Sequence, residues 1–293
     1  MTHEPGLPDR PDIFAQQRDQ QDDQQHAQQR LPVMLPHAGL AAFVLAGGRS
    51  TRMGADKAML QLGGKTLLAR AVETLRLVSS HVAVIGLDDE EANALEGADQ
   101  ALADLHPGLG PLGGIEAALR SLESLPGAEW ACFLPVDMPL LPATLYAALV
   151  RRWLGQAARG LRAGYVVVDG LPQPLVSLLH RSVLPEVTAA LDARRLKVTP
   201  VLQSVAQPVT YSQAGDRNSG NREVGIVSFM TGNAAGGSST SPGDRSQAVD
   251  EEPPIPGIDW KPTAAEAASK TYWFVNCNTP EEFTRAKTFA GTV

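Results

Sequence analysis

The chain has 293 residues, 43% of them hydrophobic and 19% charged, which is enough for a sizeable core and excludes a fully disordered or fibrous protein. Its net charge of −7 is uneven: tracts 1–38 and 208–270 carry −3 each, leaving −1 on the other 192 residues and no basic patch of the kind that displaces counterions from nucleic acid. No apolar run approaches the ~18 residues of a membrane span, the first residues are acidic and Gln-rich rather than a signal sequence, and Cys132 and Cys277 stand far apart without metal-ligand spacing, so a cytoplasmic protein with no membrane partner is expected.

In chain order, residues 1–38 include a stretch, 16–30, in which eight of fifteen residues are glutamine and no apolar periodicity exists; this predicts a disordered tail. Residues 40–46 (LAAFVLA) read as a buried strand. Residues 65–78 read as a helix, with Leu67, Leu68, Ala71, Val72 and Leu75 at helical spacing, and 81–85 as a second strand. A loop carrying Asp104 leads to a helix over 112–125, a strand over 130–136, and another helix opened by Pro142. Residues 165–168 and 175–179 read as strands separated by a Gly/Pro turn. From about 208 to 270, Gly, Ser, Asn, Asp and Pro dominate, which predicts an insertion or long surface loop; within it, 224–230 (VGIVSFM) fits either a short edge strand or a loop piece. A strand over 272–277 and a helix over 280–289 complete the chain. Short apolar runs alternating with helices predict an α/β fold with a mostly parallel sheet, one domain over 39–293 interrupted by the 208–270 insertion.

Residues 45–57, LAGGRSTRMGADK, follow the first strand directly. Gly47 and Gly48 allow backbone amides to turn inward as an anion nest, and Arg49, Arg52 and Lys57 supply cations suited to phosphate oxygens. The plainer alternative is a Gly-rich turn with solvated basic side chains; three cations so close to the glycines favour a triphosphate cradle. GxGxxG is absent, and the GGKT at 63–66 lacks the earlier glycine of a P-loop, since Met59 stands there, so Lys65 and Thr66 read as a helix start.

Two acidic residues fall at the carboxyl ends of later elements, where open α/β sheets place their sites. Asp137, in LPVDMP, suits Mg²⁺ shared between one carboxylate and substrate phosphates, or else caps the next helix. Asp104, in ADLHPGLGPLGG, fits a ligand contact or an ordinary loop carboxylate, and the glycines of 110–114 fit a close backbone approach or a tight turn. In FVNCNTPEE, Asn276 and Asn278 alternate as on one face of a strand, while Thr279 ahead of Pro-Glu-Glu is a good helix cap; ligand contact and capping weigh equally for these amides.

Taken in this order and spacing, LAGGRSTRMGADK, ADLHPGLGPLGG, LPVDMP and FVNCNTPEE resemble the molybdenum cofactor guanylyltransferase family over roughly residues 39–207 and 271–293. The first motif is specific to sugar-nucleotide-type and molybdopterin-type nucleotidyltransferases, and the asparagine motif favours the molybdopterin branch. The resemblance implies a Rossmann-like three-layer nucleotidyltransferase domain that transfers GMP from GTP to the terminal phosphate of molybdenum-molybdopterin, with Mg²⁺ as cofactor and molybdoenzyme apoproteins or their chaperones as partners. It implies that Leu45, Ala46, Gly47 and Gly48 line the nucleotide loop, that Lys57 holds phosphate, that Asp104 contacts nucleotide and that Asp137 binds nucleotide-bound Mg²⁺. Asn276 and Asn278 would face the pterin. Lys57 and Arg52 are then expected to stabilise charge on the pyrophosphate leaving group, Lys57, Arg52 and Asp137 forming the catalytic set. Where the family often has an asparagine near the end of the strand after the first helix, this chain has Ile85 and then Gly86, which removes one polar contact to the nucleotide. A molybdopterin cytidylyltransferase, a sugar-phosphate nucleotidyltransferase and a nucleotide-binding regulator without turnover therefore stay open, whereas the missing GxGxxG disfavours a dinucleotide-dependent oxidoreductase.

Overall fold

The computed structural model describes residues 36–47, 57–87, 95–205, 207–208, 223–229, 258 and 260–289. Strand β1, Leu40–Leu45, is buried along its whole length, as a continuous apolar run in a parallel sheet must be when helices cover both faces. β4, His81–Ile85, lies parallel on one side of it and β6, Trp130–Pro135, parallel on the other, with Leu45 paired to Ile85 and to Pro135. The carboxyl ends of these three strands therefore lie side by side.

A small antiparallel pair, β2 (Gln61–Leu62) and β3 (Lys65–Thr66), precedes helix α1, Leu67–Arg76. Thr66 caps that helix by accepting from the Ala69 amide at 3.0 Å, so the GGKT sequence is a helix start. β5, Gln100–Leu102, adds to β4, and helix α2, Pro111–Ser121, follows with Pro111 in its first turn behind Gly110 at φ +78°. After β6 come α3, Ala143–Leu154, then β7, Ala163–Val168, and β8, Leu171–His180. Asp169 and Gly170, both at positive φ, turn β7 into β8; a primed two-residue turn requires that of both central residues and matches the twist of the strands. Helices α4 (Leu184–Asp192) and α5 (Val198–Val205) and strands β9 (Gln207–Pro208) and β10 (Glu223–Phe229) follow.

Among the described residues the sheet order is β5-β4-β1-β6-β8-β7-β10-β9, and β8 alone runs against the other seven strands. Ala41, Phe43 and Leu45 of β1 share one core with residues of α2, α4 and α5, while the alternate residues Leu40, Ala42 and Val44 are buried on the other face, where α1 packs on β1 and on α3. This is the expected α/β architecture with a mostly parallel central sheet between helical layers. The segment left open between strand and loop is strand β10, paired to β7. Among the described residues no helix is long and apolar enough to cross a membrane.

The expectation of a strand over 272–277 is not met. Lys270–Tyr272 is a short 3₁₀ turn, and helices α6 (Ala264–Ala268) and α7 (Pro280–Thr288) flank an irregular stretch outside the sheet. Local docking wins over strand propensity here. Trp260 Nε1 donates to Thr144 Oγ1 at 3.0 Å, that hydroxyl donates to Glu266 Oε1 at 3.0 Å, and Trp273, meeting Trp260 edge-on, donates to the Glu266 carbonyl at 3.0 Å. Ile258 is buried as well. Residues ahead of the expected strand are thus tied to the start of α3, and Trp273 within it is tied back to them. Residues 1–35, which hold most of the expected tail, and most of the 208–270 tract lie outside the described residues.

Candidate functional site

The loop after β1 is seated on the loop after β4. The amides of Ala46 and Gly47 both donate to the Ile85 carbonyl, at 2.9 and 3.2 Å. Gly86 has φ +87°, and a Cβ on it would lie 2.5 Å from Gly47 Cα, so two bare backbones touch where any side chain would push them apart. Ile85 itself is core: its side chain packs on α2 where a Cβ at Gly114 would come within 2.9 Å of it. On the β6 side, the Leu45 carbonyl accepts from the Val136 amide at 3.1 Å, which fixes the chain one residue ahead of Asp137. Leu45, Ala46 and Gly47 thus lie at the carboxyl edge of the sheet. Gly48, Arg49 and Arg52 lie outside the described residues.

Lys57 enters from beyond that loop, 8% exposed. Its Nζ donates to Asp137 Oδ2 at 3.2 Å and to Asn278 Oδ1 at 2.6 Å, gathering residues separated by 80 and 221 positions. Asp137 does not cap a helix; Pro142 occupies the cap position of α3. Its backbone carbonyl instead accepts from the Cys277 amide at 2.8 Å, which holds the 276–278 segment against the end of β6. Asn278 and Thr279 donate their amides to Glu282 Oε2, at 2.7 and 2.9 Å, and Thr279 accepts from the Glu282 amide at 3.2 Å, a capping box at the start of α7. The Asn278 side chain therefore serves Lys57 and only its backbone joins the cap. Asn276 and Asn278 do not share a strand face: Asn276 Oδ1 is buried, with no hydrogen-bond partner among the described residues, and lines a cleft.

That cleft has a volume of about 540 Å³. It is lined by Asp137, Met138 and Asn276, by Gln173 and Pro174 of β8, and by Lys197 and Thr199 at the start of α5. Lys197, exposed and with no ion pair among the described residues, was missed by the sequence reading, although the basic run 194–197 (RRLK) carried a signal for it. Asp104 stands apart from the Lys57 cluster: its Oδ1 accepts from the His106 amide at 2.8 Å and lies over the first turn of α2, where a Cβ at Gly113 would be 2.2 Å away. Also missed was Glu116, a carboxylate among the apolar positions of α2, detectable as the one charge within the stripe Leu112, Ile115, Leu119.

Among the described residues no three His, Cys, Asp or Glu side chains converge on a metal. A single carboxylate beside a lysine fits the donor set of Mg²⁺ that takes its remaining oxygens from phosphates and water. Burial pushes the Cys277 thiol up to about 11, with Asp137 and Glu282 adding to it against the opposing effect of Lys57, so no thiolate nucleophile stands beside this cluster at neutral pH.

A family model described as the MobA-like NTP transferase domain matches residues 42–208. A molybdenum cofactor guanylyltransferase of Sinorhizobium fredii is 46% identical over 110 residues, 37% of this chain, which spans half the length of that relative, 50%. One from Serratia proteamaculans is 32% identical over 192 residues, covering 64% of this chain and 92% of the relative. In fold, the molybdopterin-guanine dinucleotide biosynthesis protein A of Archaeoglobus fulgidus is similar, with a TM-score of 0.55 at 20% identity over 86% of this chain and 100% of that one.

Proposed function

This chain belongs to the MobA-like NTP transferase family, and from that premise we propose that it transfers GMP from GTP to the terminal phosphate of Mo-molybdopterin, releasing pyrophosphate. The observation that carries the reading is Lys57, held by Asp137 and Asn278 at the carboxyl edge of the sheet beside a cleft with room for a second substrate. In this reaction an acceptor phosphate oxygen attacks the α-phosphorus, a new P–O bond forms, and the bond to the β-phosphate oxygen breaks with its electrons leaving on pyrophosphate. Two anions must meet, so positioning and charge neutralisation dominate and no covalent enzyme intermediate is needed.

Each residue has a task in that scheme. The Ala46 and Gly47 amides are spent on the Ile85 carbonyl, so phosphate binding on this side falls to cations: Lys57, swinging from its neutral and anionic partners, meets the charge that grows on the leaving pyrophosphate, with Arg52 assisting. Asp104 contacts the nucleotide. Asp137 would hold Mg²⁺, whose chemistry when bound is to neutralise charge shared between phosphate oxygens. Asn276, with its unpaired buried oxygen, and Lys197 of the same cleft are suited to the polar pterin and its phosphate. The protein then works as a soluble-substrate nucleotidyltransferase with GTP and Mo-molybdopterin as substrates.

The test is pyrophosphate release from GTP, CTP, ATP and UTP with Mg²⁺, with and without Mo-molybdopterin. Release from GTP that depends on the pterin is the expected result. Preference for CTP would move the assignment to a cytidylyltransferase, and saturable GTP binding without release from any nucleotide would favour a regulator.

A further inference from the structure

Glu116 is charged, buried and unused by the reaction above. Its side chain is 3% exposed, so holding its charge requires donors on all sides. Oε1 accepts from Arg120 Nη2 at 2.7 Å and from Thr188 Oγ1 of α4 at 2.7 Å, and Oε2 accepts from His106 Nε2 at 2.8 Å. Burial alone would raise the carboxyl pKa, but the hydrogen bonds from Thr188, Arg120 and His106 outweigh it and hold the group below its usual value. Two of these donors belong to packed helices. The third, His106, belongs to the loop between β5 and α2, and its side chain is 40% exposed.

Beyond the His106 ring, that loop is held by Leu109, which packs against the core and donates its amide to the His106 carbonyl at 3.0 Å. Gly108 and Gly110 sit at positive φ, Leu105 is 49% exposed, and Leu109 is only partly buried. His106 acts at both ends of its own residue: the ring reaches Glu116, and the backbone amide donates to Asp104 Oδ1 at 2.8 Å. Below them Gly113 leaves the space the pair occupies, since a Cβ there would meet Asp104 Oδ1 at 2.2 Å and His106 Cβ at 3.0 Å.

We propose that His106, clamped by Glu116, is a positioning residue that fixes the Asp104 carboxylate over the start of α2 and so sets nucleotide affinity rather than the rate of the chemical step. This rests on the reading that Asp104 contacts the nucleotide. Without the ring anchor the loop samples other conformers, the competent one becomes a fraction of the population, and apparent affinity falls by that fraction while the bound complex reacts as before. Glutamine at 106 places an amide nitrogen near the imidazole Nε2 position and can restore the bond to Glu116.

The full-length protein tests this through four variants, read by GTP Kd from titration calorimetry with GTP and Mg²⁺, and by kcat and KM for GTP from pyrophosphate release with Mo-molybdopterin held at saturation as the acceptor. His106→Ala is expected to raise the Kd and KM for GTP about tenfold, the effect of losing one charge-assisted hydrogen bond, with kcat within twofold of the parent. His106→Gln should return both to near the parent values. Arg120→Ala, which strips Glu116 of a different donor, should lower thermal stability with GTP affinity retained. Asp104→Asn supplies the reference loss of GTP binding. Parental GTP affinity in His106→Ala while Asp104→Asn binds weakly would overturn the positioning role and leave the Asp104 reading standing. Parental affinity in Asp104→Asn would overturn that reading and this inference with it. A fall in kcat without a rise in KM, or His106→Gln as weak as His106→Ala, would likewise refute it.

Discussion

Lys57 and Asp137 place opposite charges 3.2 Å apart with side chains 10% and 23% exposed, and each is half of a pair that neither could lose without leaving the other uncompensated. Replacing Lys57 or Asp137 by alanine is expected to lower kcat by roughly two to three orders of magnitude, the scale of removing one preorganised donor to a developing charge, with far-UV circular dichroism unchanged. Near-parental turnover of either variant at saturating GTP and Mg²⁺ would remove it from the catalytic set. Both residues could be read from the sequence because each follows a continuous apolar run or a Gly-rich turn, and position at a strand end is a local property. Lys197 and Glu116 could not be placed in the same way. What distinguishes them is the company they keep, a cleft wall assembled from β8 and α5 for one and donors from three separate segments for the other. Asn278 fell between these cases: its spacing was visible, but its direction toward Lys57 depends on a contact 221 residues away in sequence.

Helix α7 begins with two glutamate-held amides, and one of them belongs to Asn278. Glu282→Ala is expected to cost about 1 kcal/mol of cap energy, lowering Tm by roughly 2–4 °C, and to raise KM for the pterin substrate more than KM for GTP; differential scanning fluorimetry and steady-state kinetics check the two halves. A purely structural cap would shift Tm and leave both KM values alone. At this scale the strands β1, β4 and β6 and helices α1, α2, α3 and α7 were legible, because long apolar runs and 3.6-residue stripes survive any tertiary context. β5 was not: three residues, all only partly buried, carry no periodicity. The aromatic stretch 272–277 misled for the opposite reason. Its residues favour a strand, but Trp273 finds partners in Glu266 and Ser269, within seven residues, before any ladder can claim it.

Stability of the molecule as a whole should fall at both ends of the pH scale for identifiable reasons. Burial pushes Cys132 from 9.0 to about 12 and Cys277 from 9.0 to about 11, and raises Tyr146 in the same direction. The unfolded chain therefore releases these protons first as pH rises, so the stability they supply is whole below about 9 and is lost toward 11 and above. Glu116 and Asp99 run the other way: burial opposes ionisation, but hydrogen bonds to Thr188, Arg120 and His106 for Glu116, and to Arg76 and Val82 for Asp99, leave both lowered. Their contribution is present above the ordinary carboxylate range and disappears as pH falls through their folded values. Urea titrations across pH 3 to 11 should trace a plateau with two falling limbs, and Cys277→Ala should flatten the alkaline one. The composition indicated a globular α/β chain, but such linkage depends on which thiols the tertiary packing buries and which carboxylates it supplies with donors.

The contact between Gly47 and Gly86 also limits how nucleotide choice could be re-engineered. Restoring a polar side chain at position 86 would wedge a Cβ into backbone 2.5 Å away and dislodge the loop it was meant to assist. Position 85 offers no better opening, since its side chain faces Gly114 in the interior. The end of β4 is therefore closed to such substitution, and a library aimed at altered nucleotide selection has more to gain from the Asp104 loop than from that strand.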